Sequence, residues 1–598
     1  MPEEETSLKL AFWGEGSVHN NLKMVLSHSD RLDEANLIVC IPDEKDLRAS
    51  YAALAALKDG QSLLTGIARG STLFLLPLVV DRRARLSDMY HRLLATERGI
   101  GNAYLSESLC TSEYDDGRYP PEESVTRWIS ADIAHLTRRE RLSGDVARIY
   151  RGTSCLREDI VFEDTAFSVS QLRSVSDIVF ALERSFVGAG RIIGSTELLP
   201  QISLNDSMKM VVSYGARPRQ YCQTNSEAME AWGKGATLAE AKIASLMESI
   251  ERYVTGGYDL SSHPLLSERE LDSPVLPRFA YTGYGPDDDA PDAPPVTEQR
   301  RWHKVTSYFS QRTFYVPLEA VCFPVVPLEA GYMPVDGSNS SGVAAHFSRD
   351  MAVAAACHEL LERDAYMIAW LRRAQPPRVD LLSLPETIRK TVLSMQERGW
   401  FVSIINLSSS LSYIYAVLVW RDTLSHRYAI GAASADGAEL ACSKAVLEAQ
   451  LATALAEESV QVVPDKPYDL MQMPLVGTPV NHIQLYETGR HDALIKHMFV
   501  GSTVCDFGTP SNFSDNITIR LREAGYEVYV ADLACPRVNK MTSDIHVVRA
   551  FIPSLVPMVF GRSWRRTGSP RIDILPKQLG WHMPQDAQGY ETFPHPFH

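Results

Sequence analysis

Two stretches of this chain repeat one arrangement: SLMESIERY at 245–253 and CHELLERD at 357–364. Each contains E-x-x-E-R, which supplies Glu248, Glu251 and Arg252 from the first and Glu359, Glu362 and Arg363 from the second. Carboxylates three residues apart on a helix are neighbours and repel each other unless something positive lies between them. Four glutamates from two helices make a good Mg2+ site, because Mg2+ takes oxygen ligands and bridges to phosphates. The two arginines would then pair with phosphate oxygens or hold the glutamates in place. The plain alternative is an exposed helix surface, where E-x-x-E-R is common. Residue chemistry alone leaves both readings open.

The elements that must carry these groups are two helices. Thr237 and Glu240 form a capping box ahead of LAEAKIASLMESIERYV, and Gly256–Gly257 ends the run. Ala241, Ala244, Met247, Ile250 and Val254 recur at helical spacing as one apolar face. Ser245, Glu248 and Arg252 lie on a separate stripe, with Glu251 beside it. The second helix starts near Ser348, runs through DMAVAAACHELLERDAYMIAWLRR and stops before Pro376–Pro377. Its first half is nearly all small and apolar, which predicts burial on most sides. Glutamates on such a helix are not simply solvated, and carboxylates near a buried surface need a cation or strong donors.

The chain has 598 residues, room for two to four domains. In residues 7–150, LKLAFWG, ANLIVCIPD and STLFLLPLVV read as strands, with helices at 17–28 and 46–60 between them. That alternation predicts a small parallel sheet. The turn FWGEGSVHNN lacks the third glycine of a dinucleotide fingerprint, since His19 stands there, and VGAGRIIGS at 187–195 has the wrong glycine spacing. Residues 165–598 read as a larger unit interrupted by a Pro-, Asp- and Gly-rich surface loop at 273–299. The fold class expected is α/β (α+β).

Net charge is −15, which argues against sequence-blind nucleic-acid binding. Nine widely spaced cysteines contain no C-x-x-C, so a disulfide framework or cysteine zinc site is not expected and a reducing compartment fits. The acidic start MPEEETSLKL does not read as a signal peptide, and no apolar run reaches the ~18 residues a membrane helix needs. A cytoplasmic protein with no membrane partner is the expectation.

Four motifs in order resemble the YcaO family. They are GKGATLAEAKIASLMESIERY (233–253), SSGVAAHFSRDMAVAAACHELLERDAYMIAW (340–370), YAIGAASADGAELACSKAVLEAQ (428–450) and DIHVVRAFIPSLVPMVFG (544–561). The resemblance implies a small Rossmann-like N-terminal domain (1–160) followed by a YcaO domain (161–598). It also implies ATP and Mg2+ as cofactors and cyclodehydration of Cys, Ser or Thr in a ribosomally made precursor peptide, in which ATP phosphorylates the backbone amide oxygen. Glu248, Glu251, Glu359 and Glu362 would hold Mg2+ and the phosphates, with Arg252 and Arg363 attending. Lys234, Ser245, Gln450 and Arg549 are further nucleotide candidates. The ending FPHPFH resembles the proline-rich tail of azoline-forming members, which reaches the active site, so Pro594, Pro596 and His598 are placed at the catalytic centre.

In the second motif Ser341-Gly342 stands where the family has N-G, His346 where it has a glycine, Met351-Ala352 where a further glutamate is expected before alanine, and Ala355 where it has a glutamine. The site then uses fewer ligands, or nucleotide binding is impaired. A family member with another nucleophile, giving a thioamide or amidine, and a catalytically dead scaffold are the alternatives. The N-terminal region resembles a shortened adenylating, activating-enzyme-like domain that has lost its zinc cysteines at 73–99, hence a docking or dimerisation scaffold. The implied partners are a separate leader-peptide-binding protein, a flavin-dependent azoline dehydrogenase and a second copy of the chain.

Overall fold

The computed structural model describes six strands in the first 165 residues. From residue 166 on it describes the chain apart from connecting segments, the longest at 199–208, 216–228, 324–338 and 459–481, and the final residue, 598. Two compact units are present. One comprises Met1–Phe167, Ser176–Glu197 and Ser213–Ala231; the other comprises Ser168–Val175, Leu198–Val212 and Trp232–His598.

The first unit contains a six-stranded sheet of β1 (Leu10–Phe12), β2 (Leu37–Cys40), β3 (Ser62–Arg69), β4 (Thr72–Leu75), β5 (Val146–Arg151) and β6 (Leu156–Val161), in that order. Only β1, β2 and β3 run parallel; β3 to β6 is an antiparallel meander. This corrects the all-parallel expectation. Residues 62–69 form a strand the sequence reading passed over, and only two residues separate it from β4, too few for the crossover a parallel pair requires. The helices expected at 17–28 and 46–60, and His19, lie outside the described residues.

Strands β7 (Ile193–Leu198), β8 (Lys209–Gly215) and β9 (Met229–Gly235) precede helix α1 (Leu238–Gly256). The second unit then builds two sheets around one helix. The first takes β10 (Leu265–Leu266), β11 (Arg300–Ser307), β12 (Thr313–Pro317) and β13 (Val343–His346), ordered β10-β11-β19-β20-β13 with β12 on β11. Its later strands are β19 (Tyr529–Leu533) and β20 (His546–Phe551). The other is β17-β16-β15-β14-β18: β14 (Arg378–Val379), β15 (Phe401–Asn406), β16 (Tyr413–Arg421), β17 (Arg427–Ala435) and β18 (Val504–Cys505).

Helix α2 (Arg349–Leu371) packs against β13 and β20 on one side and β16 and β17 on the other. That position explains its composition: Ala352, Val353, Ala354, Ala356 and Cys357 are buried because small side chains let two sheets approach one helix. Strand β16 is apolar on both faces for the same reason. Ile414, Ala416 and Leu418 join the core shared with α2, while Tyr415, Val417 and Val419 face a second core beneath helix α3 (Ala438–Glu458). Asp364, fully buried on α2, accepts from Val556 N at 2.8 Å and pairs with Arg571 at 2.7 Å, which ties the C-terminal region to the central helix.

The loop expected at 273–299 is partly built in. Leu276 is buried, and Asp288 accepts from Gly285 N, Thr567 N and Thr567 Oγ1 at 2.6–2.9 Å. A carboxylate gathering three donors outweighs the loop-forming composition. Among the described residues no helix is long and apolar enough to cross a membrane, and six cysteines are free thiols.

Candidate functional site

Helix α1 begins as its capping box dictates. Thr237 N donates to Glu240 Oε2 and Glu240 N to Thr237 Oγ1, each at 3.2 Å. The buried face differs from the expected one: Ala244 is exposed, while Ser245, Leu246, Ser249 and Tyr253 are buried. The reason is Gly233 of β9. A Cβ there would lie 1.9 Å from Ala241 O and 2.7 Å from Ser245 Cβ, so strand and helix meet at van der Waals contact and Ser245 is enclosed in that seam.

The glutamate side of α1 is ordered by backbone and arginine. Glu248 accepts from Trp232 N at 3.1 Å and from Arg252 Nη2 at 3.2 Å. Arg252 Nη1 lies 3.1 Å from Glu251 Oε1, and the guanidinium sits over the Phe323 ring at 5.2 Å. Helix α2 repeats the pattern: Glu359 accepts from Gly342 N at 2.7 Å and pairs with Arg363 at 2.7 Å. Arg363 also donates to Ser341 Oγ at 2.6 Å. Ser348 occupies the N-cap position, but its side chain makes no cap bond.

The two helices share one electrostatic site. Burial pushes Glu251 up to about 8, with Arg252 opposing and with Glu248 and, from the other helix, Glu359 adding to the rise. Glu362 is likewise pushed up to about 8, by burial first and then by Glu448 of α3. Glu448 lies 3.7 Å from Lys234 Nζ. Lys444, one turn before Glu448, is held below its usual value by burial and by Lys234, with Glu362 acting against that fall. Five carboxylates from three helices therefore surround a small set of cations.

That excess of buried oxygen donors fits Mg2+ and a phosphate chain: a dication restores the ionised state of Glu251 and Glu362, and lysines and arginines suit phosphate oxygens. Among the described residues no three His, Cys, Asp or Glu side chains close on a single point. The carboxylates are drawn to arginine instead. Gln450 Oε1 is buried with no hydrogen-bond partner.

The remaining sequence candidates fall in different places. Arg549 is buried behind the site, where it donates to Asn339 Oδ1 at 3.2 Å and Val321 O at 3.3 Å; Asn339 in turn accepts from Ser341 N at 2.9 Å. It thus supports the loop that Arg363 grips. Pro594 and Pro596 are buried in an ordered tail: Tyr486 Oη donates to Pro594 O, Trp370 Nε1 to Phe593 O at 2.9 Å and His482 Nδ1 to His595 O at 2.9 Å. His598 lies outside the described residues. Met351 and Ala355 are exposed along the α2 stripe that leads to Glu359. Glu448 and Lys444 were not singled out by the sequence, and Ser341 stood out only as a departure from the family's second motif. The pattern A-x-x-E-x-Q that contains Glu448 was the available signal for it, and Lys444 stands one helical turn before it.

Gly342 has φ +75°, and a Cβ there would meet Ala550 O at 2.7 Å. Gly342→Ala is expected to lower the melting temperature, from strain of about 1–3 kcal/mol. It should also weaken Mg·nucleotide binding, since the N–H that anchors Glu359 moves. Calorimetric melting and titration with a non-hydrolysable ATP analogue measure both, and unchanged binding would refute the anchoring role.

Residues 232–556 match the family model described as YcaO cyclodehydratase, ATP- and Mg2+-binding. An uncharacterised protein of Methanothermobacter thermautotrophicus is 25% identical over 196 residues, 32% of this chain and 48% of its own length. The chain thus spans about half the length of that curated relative. A solved heterocyclase in complex with substrate and cofactor is 17% identical, with 99% of this chain and 86% of that one covered at a TM-score of 0.66. The heterocyclase TruD is 18% identical, with 99% and 84% covered at 0.59. Both likenesses are of fold.

Proposed function

Because the chain belongs to the YcaO family, with ATP and Mg2+ as its cofactors, we propose that it converts Cys, Ser or Thr residues of a ribosomally made precursor peptide to thiazolines or oxazolines. The observation that carries this reading is the meeting of the two E-x-x-E-R helices with Glu448 and Lys234 at one buried acidic site. When bound, Mg·ATP supplies the phosphoryl group that turns a backbone amide oxygen into a leaving group. Glu248, Glu251, Glu359, Glu362 and Glu448 hold the metal and the phosphate chain; Lys234, Arg252 and Arg363 balance its charge. Ser245 and Arg549 support the surrounding backbone, and Gln450 offers a buried amide oxygen. The tail that carries Pro594 and Pro596 brings His595 within electrostatic reach of Arg363, which supports the reading that this tail, with His598 at its end, serves the site.

A leader-binding protein, a flavin-dependent azoline dehydrogenase and a second copy of the chain complete the proposed assembly, with the N-terminal unit as its docking scaffold. Incubation with ATP, Mg2+, a candidate Cys-, Ser- and Thr-rich precursor peptide sought in its gene neighbourhood and a leader-binding protein should remove the mass of one water per ring. An unchanged peptide mass would refute the catalytic reading. ATP hydrolysis stimulated by that peptide distinguishes an enzyme from a scaffold, the alternative that the exposed Met351 and Ala355 favour.

A further inference from the structure

One polar constellation, between α2 and the end of β17, lies outside the carboxylate site. His358 directs Nε2 at Asp436 Oδ1, 3.1 Å away, and Nδ1 at Ser434 Oγ and Ser412 Oγ, at 2.9 and 3.0 Å. Asp436 follows β17 immediately and precedes α3, and its Oδ1 also accepts from Arg520 Nη2. Arg520 is buried and stacked on the Phe513 ring at 4.1 Å. Phe513 N donates to Asp436 O at 2.8 Å, and the Phe513 ring packs on Tyr413 at 4.9 Å.

Everything that grips this carboxylate is buried or half-buried, yet 45% of the Asp436 side chain is exposed. An ion pair kept only for packing does not need an open face. Its position is also informative. His358 is one helical turn, about 6 Å, before Glu362 on the same helix. The Lys444 charge acts on both His358 and Glu362. Asp436 is therefore held against the same stretch of α2 that carries Glu362, with an open face of its own.

We propose that Asp436, fixed by Arg520 and His358, accepts the proton of the attacking Cys, Ser or Thr side chain. The inference rests on the cyclodehydratase reading above. The S–H or O–H proton passes to the free carboxylate oxygen as the sulfur or oxygen bonds to the amide carbon. The C=O π pair moves onto the amide oxygen; ATP, when bound, would phosphorylate that oxygen so that it leaves as phosphate, and loss of the amide N–H proton to water completes the C=N bond of the ring. Arg520 and His358 are positioning residues; Asp436 is the catalytic one.

The test uses the full chain with a leader-binding protein, ATP and Mg2+, and two synthetic versions of a candidate precursor peptide that the wild-type chain modifies. These differ only by Cys or Ser at one modified position. Asp436→Asn is expected to slow the Cys peptide by roughly 10-fold and the Ser peptide by roughly 10³-fold, because a thiol loses its proton far more readily than an alcohol. Affinity for a non-hydrolysable Mg·ATP analogue should stay within about 3-fold. Asp436→Glu should recover part of the Ser rate, and His358→Gln, which keeps a donor to Asp436, should cost less than Asp436→Asn. Equal slowing of both peptides, or lost nucleotide affinity, would overturn the proton-acceptor role and leave a structural latch. Should Asp436→Asn fail to fold, the Cys-to-Ser ratio of Asp436→Glu decides, and an unaltered ratio overturns the proposal. A wild-type chain that modifies no candidate precursor refutes the cyclodehydratase reading, and this inference with it; nucleotide binding by the same sample separates that outcome from misfolding.

Discussion

Glu362→Gln and Glu251→Gln are each expected to cut peptide-stimulated ATP turnover by at least roughly 10²-fold, while making the Mg2+-free protein more stable at pH 8. The opposite signs share one cause. Both carboxyls are buried among other carboxylates and pushed up to about 8. Their ordinary value is 4.5, so their folded-state pKa is raised. Such a group adds stability that is complete below pH 4.5 and is lost as pH climbs through about 8. Metal-free protein should therefore melt progressively lower between those limits, and the glutamine variants should lose that slope because an amide carries no charge to desolvate. With Mg·nucleotide bound, the wild type should recover stability most at the alkaline end and release protons on binding. Melting curves from pH 5 to 9 with and without Mg·nucleotide, together with ATP turnover, check all of this. Variants that melt lower than wild type at pH 8 while still turning over would show that these carboxyls are structural.

Phe597→Ala should destabilise the chain by about 3 kcal/mol and weaken nucleotide binding from a distance. Phe597 is buried, with its ring edge-on to Tyr366 at 5.0 Å in the core of α2. Two residues earlier, His595 Nε2 donates to Val559 O at 3.0 Å. The adjacent Met558 O accepts from Ser341 Oγ at 3.4 Å, and Ser341 receives Arg363. Tail, the segment that follows β20, serine and arginine thus form one connected path into the carboxylate site. The same path carries a pH dependence of opposite sign to the first. Burial holds His482 down at about 4 and His595 well below the usual histidine range. Depressed bases support the fold above about 6.5, and that support is lost as pH falls toward 4. Limited proteolysis of the C-terminal segment should accelerate across that window, and sooner in Phe597→Ala. A tail equally protected at pH 4 and pH 7 would refute this account.

Much of the site was legible because it depends on local chemistry. Thr237 and Glu240 set the start of α1 through hydrogen bonds three residues long, and Gly256 marks its end. The alanine-rich half of α2 announced its burial, because only small side chains fit a helix held between two sheets. The order Glu, Glu, Arg on each helix set the i,i+4 pairs Glu248–Arg252 and Glu359–Arg363.

Tertiary structure decided the rest. Helical periodicity cannot tell which side of α1 a strand will cover, so Ser245 falls on a stripe apart from the apolar face although Gly233 seals it in. Nor can spacing alone show that Glu448 stands beside Glu362, or that Asp436 is gripped from α2 and from the helix Ile517–Glu523. These contacts join residues about 80 positions apart, and only the packing of α2 between its two sheets brings them together. The chain's own order determined which groups are acidic, basic or capping; the fold decided which of them share a charge.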